Sequence, residues 1–310
     1  MKIIVTGAGG FIGSFFCDYL NRQGHSVVAV ARTITDEMRS ALSGCEFLSF
    51  DVLDNELPQL KLEADAIVHL AAANDIISKN PEAGVRLSVI GTRNMLQLAA
   101  NNNIKKFVFY STLQVYGTEL SGELTAATPT RCESDYGINH LMAEQYVDLF
   151  ARKYQLETAI VRPSNIYGPM FLSTVNRWSL VPGCFCKEII EKQTITLLSS
   201  GKQYRNFISL EELSAQTMAV LKALKPGCQV YNLASKHYYT IHEVAEKVLH
   251  AYQDITKREA AVVVKSENPL SSNVFSISTK ELEQIGYQPS TDATEIDKEI
   301  AQLLSALLPE

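Results

Sequence analysis

The stretch Thr6-Gly7-Ala8-Gly9-Gly10-Phe11-Ile12-Gly13 decides how the rest of the chain is read. It follows the apolar run Lys2-Ile3-Ile4-Val5 and opens a helix-patterned segment over 11–23. Glycines between a strand and a helix have assignable uses. Gly7 permits a tight turn, Gly10 lets backbone approach a pyrophosphate, and Gly13 allows the helix to pack close on the strand. The first N–H groups of the helix lack intrahelical partners, so they and the positive dipole end face the phosphates. A glycine motif alone would be weak. Here strand, spacing and helix agree, and Gly7, Gly10, Phe11, Ile12 and Gly13 form the expected cradle of a dinucleotide.

Outward from this turn, short β-branched runs alternate with helix-length segments. Strands are expected at 2–6, 26–31, 46–50, 65–71, 104–111 and 157–162, with the main helices at 11–23, 82–102 and 136–154. Continuous apolar strands separated by helices imply a parallel sheet covered on both faces. That is an α/β chain with a Rossmann-type, doubly wound parallel sheet. After Arg162 the alternation stops. Pro163, Gly168-Pro169 and Pro182-Gly183 punctuate loops, then a strand at 207–210, a helix at 211–223, a strand at 231–234 and a helical tail from Tyr239 follow. The expected dinucleotide-binding domain is therefore 1–165 rejoined by about 207–235. A smaller C-terminal substrate lobe takes about 166–206 and 236–310.

The bulk properties exclude several classes of partner. Of 310 residues, 46% are hydrophobic and 20% charged, an ordinary globular balance. A net charge of −6 leaves no footprint for nucleic acid or an anionic membrane. No apolar run approaches the roughly 20 residues of a bilayer span, and the N-terminal run is too short for a signal peptide. Cysteines 17, 45, 132, 184, 186 and 228 are scattered, and Cys184-Phe185-Cys186 lacks the second ligand pair of a structural zinc site. They read as reduced thiols of a cytoplasmic protein with no metal.

At the end of the second strand, NAD-specific proteins usually place an acid on the ribose 2′-hydroxyl. This chain has Ala31-Arg32-Thr33. An acid would repel a 2′-phosphate, whereas Arg32 pairs with one through charged hydrogen bonds. The expected cofactor is NADP(H), with NAD second.

Further motifs extend over nearly the whole length. They are Asp51-Val52, His69-Leu70-Ala71-Ala72, Ser111-Thr112-Leu113-Gln114-Val115-Tyr116-Gly117, Tyr136-Gly137-Ile138-Asn139-His140, Arg162-Pro163-Ser164-Asn165-Ile166-Tyr167-Gly168-Pro169 and Gly201-Lys202-Gln203-Tyr204-Arg205-Asn206-Phe207. With the glycine turn, they make the chain resemble the extended short-chain dehydrogenase/reductase family, in its nucleotide-sugar epimerase/dehydratase branch. The resemblance implies that Asp51 and Val52 hold the adenine, that Leu70, Ala71 and Ala72 line the cofactor, and that Pro163 sits near the nicotinamide. It implies contacts from Asn165 and Arg205 to the diphosphate of a nucleotide-linked sugar, for which a guanidinium has the right chemistry. It also makes Tyr136 the acid/base and Thr112 the hydroxyl on the reacting sugar oxygen.

Three departures shape the expected reaction. The family's lysine, four residues after the tyrosine, is His140. It lies on the same helix face as Tyr136, but an unperturbed histidine titrates near 6.5 and is mostly neutral at pH 7. Ser88 stands where the family has an asparagine that supports the lysine through water. Leu113 and Gln114 occupy the places of the acid pair used by 4,6-dehydratases, so dehydratase activity is rejected. A reductase needs Tyr136 protonated and suffers less from losing the lysine than an oxidation step does. Reduction of a 4-keto sugar nucleotide is therefore preferred over 4-epimerisation. The alternative is a non-catalytic NADP(H)-binding regulator or sensor. Apolar residues on more than one face of 136–154 (Ile138, Leu141, Met142, Val147, Leu149 and Phe150) suggest a homodimer built from this helix and 82–102. The loops 118–133 and 171–187 are expected to select the sugar.

Overall fold

The computed structural model describes residues 1–266 and 273–308. The first half runs β1 (Lys2–Thr6), α1 (Phe11–Arg22), β2 (Ser26–Ala31), α2 (Asp36–Ala41), β3 (Glu46–Ser49), β4 (Ala66–His69), α3 (Pro81–Val85), α4 (Gly91–Asn101), β5 (Lys106–Tyr110), β6 (Gly122–Leu124), α5 (Asp135–Tyr154) and β7 (Glu157–Pro163). The second half runs β8 (Asn165–Tyr167), α6 (Gly183–Lys192), β9 (Thr194–Leu197), β10 (Tyr204–Ser209), α7 (Leu210–Ala223), β11 (Gly227–Leu233), β12 (Tyr238–Thr240), α8 (Ile241–Thr256), β13 (Ala261–Val264), β14 (Phe275–Ile277), α9 (Lys280–Gln284) and α10 (Glu295–Leu307).

Seven parallel strands form the central sheet in the order β11-β7-β5-β4-β1-β2-β3. The chain winds outward from β1 in both directions, which is the expected Rossmann-type topology. Both faces are covered. Phe16 and Leu20 of α1 join Leu213 and Leu221 of α7 on one side, and Met95 and Leu98 of α4 join Val147 and Phe150 of α5 on the other. That double cover explains why Ile3, Ile4 and Val5 are all buried and why the strand reads as an unbroken apolar run.

The helix expected over 82–102 is interrupted by a π turn, Arg86–Ile90, between α3 and α4. Gly91 follows it at a place where a Cβ would lie 2.8 Å from Val52 Cγ2. Helix α5 starts cleanly because Ser134 Oγ accepts from the Gly137 N–H at 3.1 Å. That cap sets where Tyr136 emerges.

The second lobe has its own three-stranded sheet, β12-β10-β8. The strand expected at 207–210 runs Tyr204–Ser209 and pairs there with β8 and β12, outside the central sheet. From α7 onward the chain packs on the central sheet again, through Leu210, Leu213 and Leu221. Behind this sheet, Phe185, Ile189, Ile195, Val248, Ile300 and Leu304 form a separate core. The tail is less helical than expected, because β13 pairs with β9 and β14 with β6. No described helix is long and apolar enough to cross a membrane.

Candidate active site

A cavity of about 530 Å³ opens at the carboxyl ends of the central strands, between the two lobes. That is where doubly wound sheets hold ligands, and the volume is typical of a small-molecule site. At one end lie Gly7, Gly10, Phe11, Ile12, Gly13, Leu70 and Ala72. Gly7 has φ +73°, and a Cβ on Gly13 would sit 2.1 Å from the Gly7 carbonyl oxygen. Only glycine permits the approach of α1 to β1 that the sequence suggested. Ncap Gly10 has no side chain to satisfy the first N–H groups of α1, which leaves them for an anion.

The loop after β4 is pinned beside this turn. The Thr6 hydroxyl contacts His69 Nδ1 at 2.7 Å and accepts from the Leu70 and Ala71 N–H groups at 3.2 and 3.3 Å. His69 Nε2 meets Thr92 Oγ1 at 3.1 Å. Burial pushes the His69 imidazole down to about 3, so this clamp is neutral.

At the other end, Thr112, Tyr136, His140, Pro163, Asn165 and Arg205 line the cavity, drawn from 93 residues of sequence separation into one wall. Thr112 follows β5, its hydroxyl accepts from the Gln114 N–H at 3.2 Å, and it lines the cavity together with Tyr136. A buried network fixes the strand ends beneath. Ser111 Oγ donates to Glu144 Oε1 at 2.5 Å, and Arg162 grips the same carboxylate through Nε at 2.9 Å and Nη2 at 2.5 Å. Arg162 Nη1 then donates to Tyr116 Oη at 2.8 Å, and that hydroxyl donates to Asn232. The Arg162–Glu144 pair is almost fully buried, so its two charges depend on each other. It ties the residues before Thr112 and Pro163 to one point.

The His140 and Tyr136 rings lie 4.5 Å apart, tilted by 56°. His140 Nδ1 donates to the Tyr136 carbonyl at 3.0 Å. Burial pushes the imidazole down to about 4, against the opposing pull of that hydrogen bond. Position 140 therefore carries no charge near neutral pH. Burial also raises the Tyr136 phenol above its ordinary value, and the field of Asp75 adds to this; the Thr112 hydroxyl and Arg177 oppose it without cancelling it.

Arg205 is half-buried, has Nη1 on the Tyr204 carbonyl at 2.8 Å, and forms no ion pair among the described residues. Desolvation lowers its pKa, so an anion in the cavity would find a cation without a counter-ion. Asn165 donates to the Asn206 carbonyl at 2.8 Å and lines the cavity.

Five expected residues lie outside the cavity wall: Arg32, Asp51, Val52, Ala71 and Ser88. Arg32 is exposed just past β2, without an ion pair among the described residues. Asp51 Oδ1 accepts from the Leu53 N–H at 2.9 Å, and Val52 is buried with its carbonyl held by Asn94 at 2.9 Å. Ser88 sits on the π turn, fully buried, accepting from the Ala73 N–H at 3.0 Å. Its hydroxyl thereby holds the loop after β4.

Other wall residues escaped the sequence reading. Asp75 and Arg177 form a 2.8 Å ion pair; Ser164 has a buried hydroxyl without a partner; Phe275 and Ile277 come from β14. Only Arg177 carried a signal, as a cation in the loop expected to select the sugar. The loop 118–133 also reaches the wall, through Thr118 and Leu120.

Residues 3–234 match the model of the NAD dependent epimerase/dehydratase family. The low-salt glycan biosynthesis protein Agl12 of Haloferax volcanii is 30% identical over 261 residues, 81% of this chain and 82% of that protein. Among solved structures, the UDP-N-acetylglucosamine 4-epimerase from Methanobrevibacter ruminantium M1, in complex with UDP-N-acetylmuramic acid, has a TM-score of 0.84 at 22% identity, covering 98% of this chain and 97% of that one. The UDP-glucuronic acid 4-epimerase from Bacillus cereus, in complex with NAD, has a TM-score of 0.82 at 23% identity, covering 99% and 97%.

Proposed function

The chain belongs to the NAD dependent epimerase/dehydratase family, and from that premise we propose that it reduces the ketone of a 4-keto sugar nucleotide, using NADPH. The observation that carries this reading is Tyr136: a half-buried phenol beside Thr112 on the cavity wall, its pKa raised by desolvation, with a neutral imidazole where a cation would otherwise stand. Such a phenol stays protonated near neutral pH. That is the state in which it gives a proton to the alkoxide formed as a ketone is reduced. Epimerisation asks the same oxygen first to remove a proton, and His140 supplies no charge for that. The Thr112 hydroxyl is placed to hold the reacting oxygen in line with the phenol.

The residues fit a nicotinamide dinucleotide. The glycine cradle and the free N–H groups of α1 suit its pyrophosphate, and Asp51 and Val52 its adenosine. Leu70, Ala71 and Ala72 flank its middle, Pro163 its nicotinamide, and the unpartnered Ser164 hydroxyl offers a polar contact beside Pro163. Bound there, the dinucleotide supplies the hydride. Arg32 favours NADP(H) over NAD through the 2′-phosphate. The named substrates of structural neighbours, together with Arg205 and Asn165, support a nucleotide diphosphate sugar. Dehydration lacks a base: Leu113 and Gln114 cannot serve, and the wall carboxylate, Asp75, is tied to Arg177. Exposed Ile90 on the π turn and Ile138, Met142 and Leu149 on α5 favour a homodimer through these two elements; a monomer mass in sedimentation would remove it.

The neutral His140 also favours a second reading, a non-catalytic NADP(H) sensor. The deciding experiment follows NADPH oxidation with a panel of 4-keto sugar nucleotides, for wild type and Tyr136→Phe. Turnover lost in the variant supports the reductase. Tight NADPH binding without turnover supports the sensor, and interconversion of 4-epimers with retained cofactor supports the epimerase.

A further inference from the structure

We propose that Arg177 is a positioning residue for the proton chemistry of Tyr136: reaching in from the second lobe, its guanidinium supplies the positive charge that position 140 lacks, and Asp75 restrains it. This rests on the reading of Tyr136 as the proton donor.

Three charged side chains stand among the cavity-lining residues, Asp75, Arg177 and Arg205. Arg205 is turned onto the Tyr204 carbonyl. Arg177 and Asp75 instead face each other across the lobes, Nη1 to Oδ1 at 2.8 Å, from segments 102 residues apart. Asp75 is held by a turn in which Asn74 Oδ1 accepts from the Ile76 and Ile77 N–H groups at 3.0 and 2.9 Å. Arg177 lies on the connection from β8 to α6, with one-fifth of its side chain exposed. The fields of both reach the phenol, with opposite signs. Seen from Tyr136 the two charges oppose each other, with the effect of Arg177 the larger. A ligand that drew Asp75 aside would leave the cation acting alone, and the phenol would become more acidic.

Opposite signs give a test that loosened packing cannot imitate, because both variants break the same ion pair. Phenolate absorbance is recorded against pH with saturating NADP⁺ for Arg177→Gln, Arg177→Lys and Asp75→Asn, each minus its own Tyr136→Phe counterpart. Arg177→Gln should raise the Tyr136 midpoint by about one pH unit and Asp75→Asn lower it by a smaller amount. Arg177→Lys should stay near wild type. Where the midpoint lies above the range in which the protein stays folded, 3,5-difluorotyrosine in place of Tyr136 brings it down, and its fluorine resonance reports the same shifts. Both variants moving the midpoint the same way, or neither moving it, overturns the proposal. If Tyr136→Phe abolishes turnover while the midpoints do not move, the role of Arg177 falls and that of Tyr136 stands. If Tyr136→Phe turns over like wild type, the reading of Tyr136 itself falls.

Discussion

The His140 imidazole and the Tyr136 ring sit 4.5 Å apart, and the imidazole's one proton is committed to the Tyr136 carbonyl. The residue standing four places after Tyr136 is thus a neutral packing partner. Its unprotonated Nε2 can only accept a hydrogen bond.

Restoring a cation there should change the direction of the chemistry. A positive charge about 4 Å away, at an effective dielectric near 20, is worth about 4 kcal/mol, or roughly three pKa units. His140→Lys is expected to lower the Tyr136 midpoint by an amount of that order. The rate of NADP⁺ reduction by a sugar-nucleotide alcohol should rise relative to the reverse rate. Forward and reverse rates measured on one substrate pair check this, and an unchanged ratio would contradict it.

The same burial makes stability depend on pH. The imidazole's ordinary value near 6.5 falls to about 4 on folding, so between these limits the unfolded chain binds a proton that the folded one refuses. Stability therefore declines as pH falls from about 6.5 to about 4, by on the order of 3 kcal/mol from this group, and is unaffected by it above that window. His140→Gln should flatten the decline. Urea midpoints at pH 7.5 and 4.5 compare the two proteins; equal slopes would mean His140 protonates freely in the fold.

Cofactor choice should follow Arg32. Charged hydrogen bonds to a phosphate contribute about 1.5–3 kcal/mol, so Arg32→Ser should weaken NADPH binding roughly tenfold to a hundredfold and leave NADH nearly unchanged. Calorimetric titration with both dinucleotides is the check. Equal losses for the two would place Arg32 outside the 2′-phosphate site.

At the opposite end, Arg205→Gln should weaken binding of a nucleotide diphosphate sugar by a similar factor while dinucleotide affinity holds. Titration of the variant with UDP-glucose and, separately, with NADPH separates the two effects. A loss of dinucleotide affinity alone would assign Arg205 to the cofactor instead.

Much of this was legible in the sequence because it depends on local patterns. The turn Gly7–Gly13 and the apolar strands announce themselves through spacing and burial on two faces. The wall residues Thr112, Tyr136, Pro163 and Arg205 stood out because each sits in a dense local motif. How far His140 is held below its ordinary value was not legible: that depends on burial and on a bond to a carbonyl, and neither leaves a mark in residue order. Asp75 and Arg177 were missed because an ion pair 102 residues apart has no local signature. Strand β14 pairs with β6 from 153 residues away, so its short run gave no reason to look for a partner.

The path of the chain after β7 limits how such a protein can be re-engineered. It leaves the central sheet for β8 through β10, comes back for α7 and β11, and departs again for the C-terminal elements. No single crossover point separates the central sheet from the β12-β10-β8 sheet. A chimaera joined at one junction would strand β11 with an ill-fitting neighbour or pair β8 with a foreign β10. Recombination with a relative would thus be tolerated chiefly as loop-by-loop exchange, above all in the segments around Thr118 and Arg177, with both frameworks left whole.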